Sequence, residues 1–169
     1  MSQTRDQLIA GLKEAILTEQ TGVQFYTVAA NNTTDVRGRE VFQQLARDEA
    51  EHQQWLRLQY GHSVEGTPWE EMRPVSHADL SGPSPIFSDG LRSRIGAAHW
   101  EMTALSVGLA LEEATVTRYR DLARAAEQPD VRRFFEELAK WEESHAEALS
   151  RQSNLLKESY WQEAHFAPF

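Results

Sequence analysis

The 169-residue chain contains no cysteine. Disulfides, thiolate nucleophiles, zinc ribbons and cysteine-held iron–sulfur clusters are thereby excluded. Basic residues are outnumbered, 17 Lys and Arg against 26 Asp and Glu, for a formal net charge of −9. A nucleic-acid partner would want a basic face, so none is expected. No stretch approaches the roughly 18 apolar residues of a membrane span, and no membrane partner is expected either. The opening "MSQTRDQLIAGLKEAI" is amphipathic throughout. It lacks the apolar core and cleavage site of a signal peptide, so a cytoplasmic protein is the expectation. Neither a nucleophile triad nor a glycine-rich phosphate loop is apparent, which leaves redox or metal-assisted chemistry. What is present, 40% hydrophobic and 25% charged residues, describes one globular domain over 1–169.

Four segments carry an apolar stripe at helical spacing. In the first, Leu12, Ile16, Glu19, Val23, Tyr26 and Ala30 recur in steps of four and three, behind a capping box of Thr4 and Gln7. "NNTTD", Asn31 to Asp35, breaks the pattern. Phe42, Leu45, Glu49, His52 and Leu56 resume it as far as about Tyr60. Periodicity then lapses from Gly61 to Gly96, a stretch that holds four of the six prolines. That is long for a loop inside a compact domain and asks for a reason. Leu105, Leu109, Glu112, Val116, Tyr119 and Ala123 make the third stripe. Pro129 is well placed to open the next helix, where Phe135, Leu138, Glu142, His145 and Leu149 make the fourth. Helices are predicted at about 4–31, 35–60, 97–126 and 129–159, with a crossover at 61–96. The aromatic tail "YWQEAHFAPF", 160–169, is expected to pack on the bundle or on a partner subunit.

The two halves match at a constant offset. Adding 93 takes Glu19 to Glu112, Tyr26 to Tyr119, Phe42 to Phe135, Glu49 to Glu142 and His52 to His145. A repeat of that kind reads as a duplicated helical hairpin. Two hairpins burying one face each make an all-α four-helix bundle. If a two-fold axis relates them, the third helix starts at the far end from where the second stops. The long crossover would then span the bundle, which ~3.3 Å per extended residue allows.

Each hairpin places one Glu on the seam of its first helix and Glu-x-x-His on the seam of its second. A lone Glu-x-x-His is weak, since 19 Glu and 6 His give roughly 0.7 chance matches. Two copies on apolar seams, at equivalent points of a repeat, are not weak. Solvated surface charges would not fall among core positions. A buried ion-pair network needs cations, and these seam positions hold no Lys or Arg. Four buried carboxylates without counter-charge would be costly or would take up protons. Two divalent cations would balance them. A Glu from each of two helices and Glu-x-x-His from each of the others is the pattern of a carboxylate-bridged dinuclear site.

"TEQTGVQFY", "LARDEAEHQQW", "ALEEATVTRYRDLA" and "LAKWEESHAEAL" together resemble the four helix motifs of the ferritin-like superfamily, and specifically its rubrerythrin-related branch. The resemblance implies a ferritin-like bundle whose metal ligands are Glu19, Glu49, His52, Glu112, Glu142 and His145. It implies two iron ions, with zinc or manganese able to substitute. Tyr26 and Tyr119 match tyrosines that steady the ligand carboxylates from behind. Two departures stand out. Where rubrerythrins carry a further Glu, three residues after the third-helix ligand, this chain has Thr115, and Glu113 points about 100° away from Glu112. Without cysteine there is no rubredoxin module, so electrons would come from an external donor. The ligand set also resembles that of bacterioferritins, but Ala50 occupies the position of their haem-binding Met, so haem is not expected.

The implied activity is that of a non-haem di-iron oxidoreductase, peroxidase- or ferroxidase-like, acting on hydrogen peroxide or dioxygen in a setting of oxidative stress. Ferroxidase-like iron storage, or a metal- or redox-responsive interaction protein, are the alternatives. A homodimer or larger homo-oligomer is expected. His62, His77, His99 and His165 read as structural or solvent-exposed, and Trp100 and Trp141 as core packing, with lining the bundle or shaping access to the site as the alternative.

Overall fold

The computed structural model describes residues 4–72 and 99–163, with side chains described as far as 158. Among these residues there are four helices and no strand: α1 (Arg5–Asn32), α2 (Val36–Glu65), α3 (His99–Ala125) and α4 (Pro129–Glu163). α1 packs along α2, α3 packs along α4, and the hairpins meet mainly where α1 crosses α3. This is the four-helix bundle of two hairpins that the repeat predicts.

Local chemistry sets the helix ends. Thr4 and Gln7 form the expected capping box, the Gln7 amide donating to Thr4 Oγ1 at 3.3 Å and the Thr4 amide to Gln7 Oε1 at 2.8 Å. Asp35 caps α2 by accepting from the Gly38 amide at 2.9 Å. Both hairpin turns share one clamp. Arg39 donates to the Thr33 carbonyl, and its repeat counterpart Arg132 donates to the Ala126 carbonyl at 2.9 Å.

Two predicted boundaries are corrected. α2 does not stop near Tyr60 but continues through Gly61 to Glu65, where Gly66 takes φ 75° and closes the helix in the left-handed conformation. Gly61 therefore lies within a helix, where glycine costs stability but does not end the run. Beyond Gly66 the chain folds back. Gln59 donates to the Glu70 carbonyl at 2.7 Å and accepts from its amide at 3.2 Å, while Trp69 Nε1 donates to Ser63 Oγ at 3.0 Å. At the other end α4 runs to Glu163, so the predicted tail begins as helix. Residues 73–98, which hold most of the predicted crossover and the first two residues of the predicted third helix, and the tail residues 164–169 lie outside the described residues, as do His77 and His165.

The hairpins run head to tail. Arg5 at the start of α1 donates to the Ser63 carbonyl at the end of α2, and Thr34 lies 3.5 Å from Glu101 at the start of α3. α2 therefore ends, and α3 begins, at opposite ends of the bundle, as a two-fold relation requires. The core divides accordingly. One cluster holds Tyr26, Phe42, Leu45, Leu105 and Leu149, and the other holds Leu12, Leu56, Tyr119, Phe135 and Leu138. These are the same five positions with the halves exchanged. Between the two clusters lies a polar layer.

Candidate metal centre

That layer is made by one turn from each helix. Glu19 on α1, Glu49 and His52 on α2, Glu112 on α3, and Glu142 and His145 on α4 are all buried, none more than 4% exposed. They form two overlapping groups, Glu19–Glu49–His52–Glu142 and Glu49–Glu112–Glu142–His145. In each, one donor atom per residue lies within 4.8 Å of all the others. Glu49 and Glu142 belong to both groups; Glu19 and Glu112 belong to one each. Glu49 and Glu142 are thus common to both groups, and either group is of a kind that could hold a metal ion.

Hydrogen bonding leaves this need unmet. Glu19 Oε2, Glu49 Oε1, Glu142 Oε2 and His145 Nδ1 are buried with no hydrogen-bond partner among the described residues. His52 Nδ1 comes to 2.8 Å from Glu142 Oε1 and 3.6 Å from both Glu19 Oε2 and Glu49 Oε2. Buried carboxylates left in this state are costly, and donors of this type accommodate divalent metals.

The outer oxygens are handled differently. Tyr26 donates to Glu112 Oε1 and Tyr119 donates to Glu19 Oε1, each tyrosine reaching across to the other hairpin. Each tyrosine thus pairs with a carboxylate of the cluster, and the two bonds also tie the hairpins together. Each hydroxyl occupies one oxygen and leaves the other turned toward the cluster. Burial, then the Glu112 and Glu49 charges, raise the Tyr26 hydroxyl well above 10.0, so it stays a donor.

Without cations the carboxylates diverge in acidity. Burial raises Glu19 and Glu112 well above the ordinary 4.5, and the neighbouring Glu49 and Glu142 charges add to the shift. Burial pushes Glu142 the same way, but the His52 charge and the imidazole contacts outweigh it and hold Glu142 well below 4.5. Burial and the Glu142 charge push Glu49 up, but its close approach to Glu19, His145 and His52 outweighs them and lowers it. For His52 and His145 burial disfavours the charged ring, yet the surrounding carboxylates raise both well above 6.5.

The Rubrerythrin family model matches residues 10–73 and again residues 103–166. The chain belongs to the rubrerythrin family. The two matched stretches are displaced by 93 residues, the offset of the internal repeat. No curated protein and no solved structure matches the chain significantly.

In this rubrerythrin-family chain a cavity of about 230 Å³ opens beside the cluster, between α1 and α3, where Gly22, Glu19, Glu49, Glu112 and Thr115 line it. Gly22 and Thr115 are repeat equivalents. A Cβ at Gly22 would stand 3.1 Å from Glu49 Cγ and 3.3 Å from its Cδ. Thr115 donates its hydroxyl back to the Leu111 carbonyl at 3.0 Å, which leaves the cavity without a fifth carboxylate at that position.

Sequence reasoning missed the surroundings of the imidazoles. Trp141, read as core packing, stacks on His52 with ring centroids 5.3 Å apart and planes at 16°. Asp48, not singled out at all, is buried with Oδ2 3.4 Å from His145 Nε2. The two are equivalent positions of the repeat, and comparing unlike residues across the halves would have exposed them. Trp100 is 39% exposed at the start of α3, and His62 binds Thr67 Oγ1 at 2.7 Å, away from the centre.

Proposed function

We propose that this chain is a non-haem di-iron oxidoreductase that reduces peroxide or dioxygen, with electrons delivered by another protein or a small reductant. The observation that carries the reading is the pair of overlapping four-residue groups sharing Glu49 and Glu142. Two iron ions bound there would supply stored electrons and Lewis acidity in a site of low dielectric. The chain's own residues do the rest. Glu19 and His52 would complete one position, and Glu112 and His145 the other. Tyr26 and Tyr119 keep the terminal carboxylates from rotating. The cavity at Gly22 and Thr115 admits a molecule as small as peroxide while the apolar clusters on either side exclude bulk water.

Anaerobic loading with Fe(II), followed by peroxide or dioxygen in the presence of a supplied reductant, tests this. Two irons per chain and sustained peroxide consumption are expected. Stoichiometric oxidation that then stops, with further iron accumulating, would transfer the protein to the storage class.

A further inference from the structure

Three aromatic rings stand in a column through the polar layer. Trp141 on α4 lies over the face of His52, with centroids 5.3 Å apart and planes at 16°. His52 lies in turn over His145, 5.8 Å away and inclined by 21°. Both spacings fall in the range of offset-stacked aromatic pairs. Each imidazole turns Nδ1 toward the carboxylates. That of His52 is 2.8 Å from Glu142 Oε1, and that of His145 is 3.5 Å from Glu49 Oε1. The column therefore includes the histidine of each four-residue group.

The histidines are buried, at 0% and 2% exposure, whereas Trp141 keeps part of its surface in solvent. Its neighbours one turn away on α4, Glu137 and Ser144, are both exposed. One side chain thus bridges the surface and a candidate ligand. The contact joins α2 to α4, away from the cavity that α1 and α3 line.

The proposed reaction draws electrons from outside the chain, and a donor too large for the cavity has to deliver them through protein. An indole stacked on a ligand imidazole offers an edge to the donor and a π path inward. A second aromatic route runs from Trp69 across Phe135 to Tyr119. It is longer. Its two ring contacts are each 6.0 Å, the first inclined by 66°, and it ends on the hydrogen bond to Glu19 Oε1. Tunnelling falls off steeply with every added step, and the Trp141 route has a single ring contact before a ligand.

We infer that Trp141 is the electron port of the centre, passing electrons from a one-electron donor at the surface through His52 to the metal ions. The inference rests on the di-iron oxidoreductase reading above. Each passage oxidises one donor molecule by one electron and converts one ferric ion to ferrous; no bond to the indole forms or breaks. Two passages, with two protons from solvent, supply the reduction of one hydrogen peroxide to two waters. Trp141 acts through His52 and touches no reactant, so it is a positioning residue.

Following the two half-reactions separately tests this. Iron-loaded protein, oxidised with stoichiometric peroxide, is mixed anaerobically with methyl viologen radical cation in a stopped-flow cell. Trp141→Leu should lose most of the wild-type rate of electron uptake. Trp141→Phe, which keeps a ring on His52, should lose less. Iron content, reduction potential and the rate at which peroxide oxidises the ferrous protein should stay close to wild type in both. Trp69→Leu should take up electrons as the wild type does. A readout independent of turnover checks the contact: Co(II) loading should quench tryptophan emission in wild type and markedly less in Trp141→Phe. Should Trp141→Leu shed its iron, the slower uptake of Trp141→Phe decides alone. Uptake at the wild-type rate in both variants, slowing by Trp69→Leu instead, or equal slowing of both half-reactions would overturn the inference and leave the di-iron reading standing. So would undiminished Co(II) quenching in Trp141→Phe, or loss of iron from it, since the indole would then serve packing alone. A wild-type protein that binds two irons yet accepts no electrons would sink the oxidoreductase reading itself.

Discussion

Glu19 and Glu112 each give one oxygen to a tyrosine and turn the other toward a cluster that already holds two ionised carboxylates. Their raised proton affinity, with that of His52 and His145, favours protons as the counter-charge of the metal-free site. Binding of divalent ions should therefore displace protons. Calorimetry in buffers of different ionisation enthalpy would count them, and apparent metal affinity should climb with pH. Stability of the metal-free protein should run the other way. These four groups hold protons in the folded state that the unfolded chain releases at 4.5 and 6.5. Above 6.5 the native state thus binds more protons, and the melting temperature is expected to fall as pH rises toward the native values. A melting temperature that climbs over that range in the presence of chelator would contradict the charge state drawn here. At this scale the six donors were legible because polar residues interrupted an apolar stripe twice at the same places. Asp48, Trp141 and Gly22 were not, since each looks ordinary on its own helix and acts only across the bundle.

Among the helices, the crossing of α1 and α3 decides how open the centre is. Small residues line it: Gly11 lies against Leu122, Gly22 against Glu49, and Gly108 against Tyr26 and Leu149. Gly22→Ala would press a methyl group against the Glu49 side chain at 3.1 Å. Overpacking of this kind costs about 1–3 kcal/mol. Here it should appear as a roughly tenfold or larger drop in metal affinity, because a loaded Glu49 cannot swing aside. The metal-free variant, in which Glu49 can yield, should melt close to wild type. Equal losses in both states would mean that the glycine serves packing alone. Helix existence and pairing were readable from the stripes, and the Thr4–Gln7 cap was readable from its two residues. The end of α2 was not, because two glycines five residues apart offer the same local signal. What separates them is the left-handed turn at Gly66 and the fold-back held by Gln59 and Trp69, contacts that no helical period encodes.

In the whole molecule the polar layer joins two hairpins whose internal packing is far more extensive than the packing between them. Candidate ligands come from all four helices, so metal held there would act as a cross-brace. Free metal at 100 times its dissociation constant adds about 2.7 kcal/mol per site, or roughly 5–10 °C in melting temperature for a chain of this size. Chelation should remove that increment, and excess metal should restore it in a concentration-dependent way. An unchanged melting temperature would mean that the six residues hold nothing the folded state depends on. The same layer is lopsided in cross-section: its imidazole side is walled by Trp141 and Asp48, whereas the α1–α3 side is lined by glycine and threonine. On the reading proposed above, a small oxidant would enter and its product would leave through the cavity on that α1–α3 side. Turnover there would be sequential, each new molecule waiting until the water formed from the last had gone out the same way.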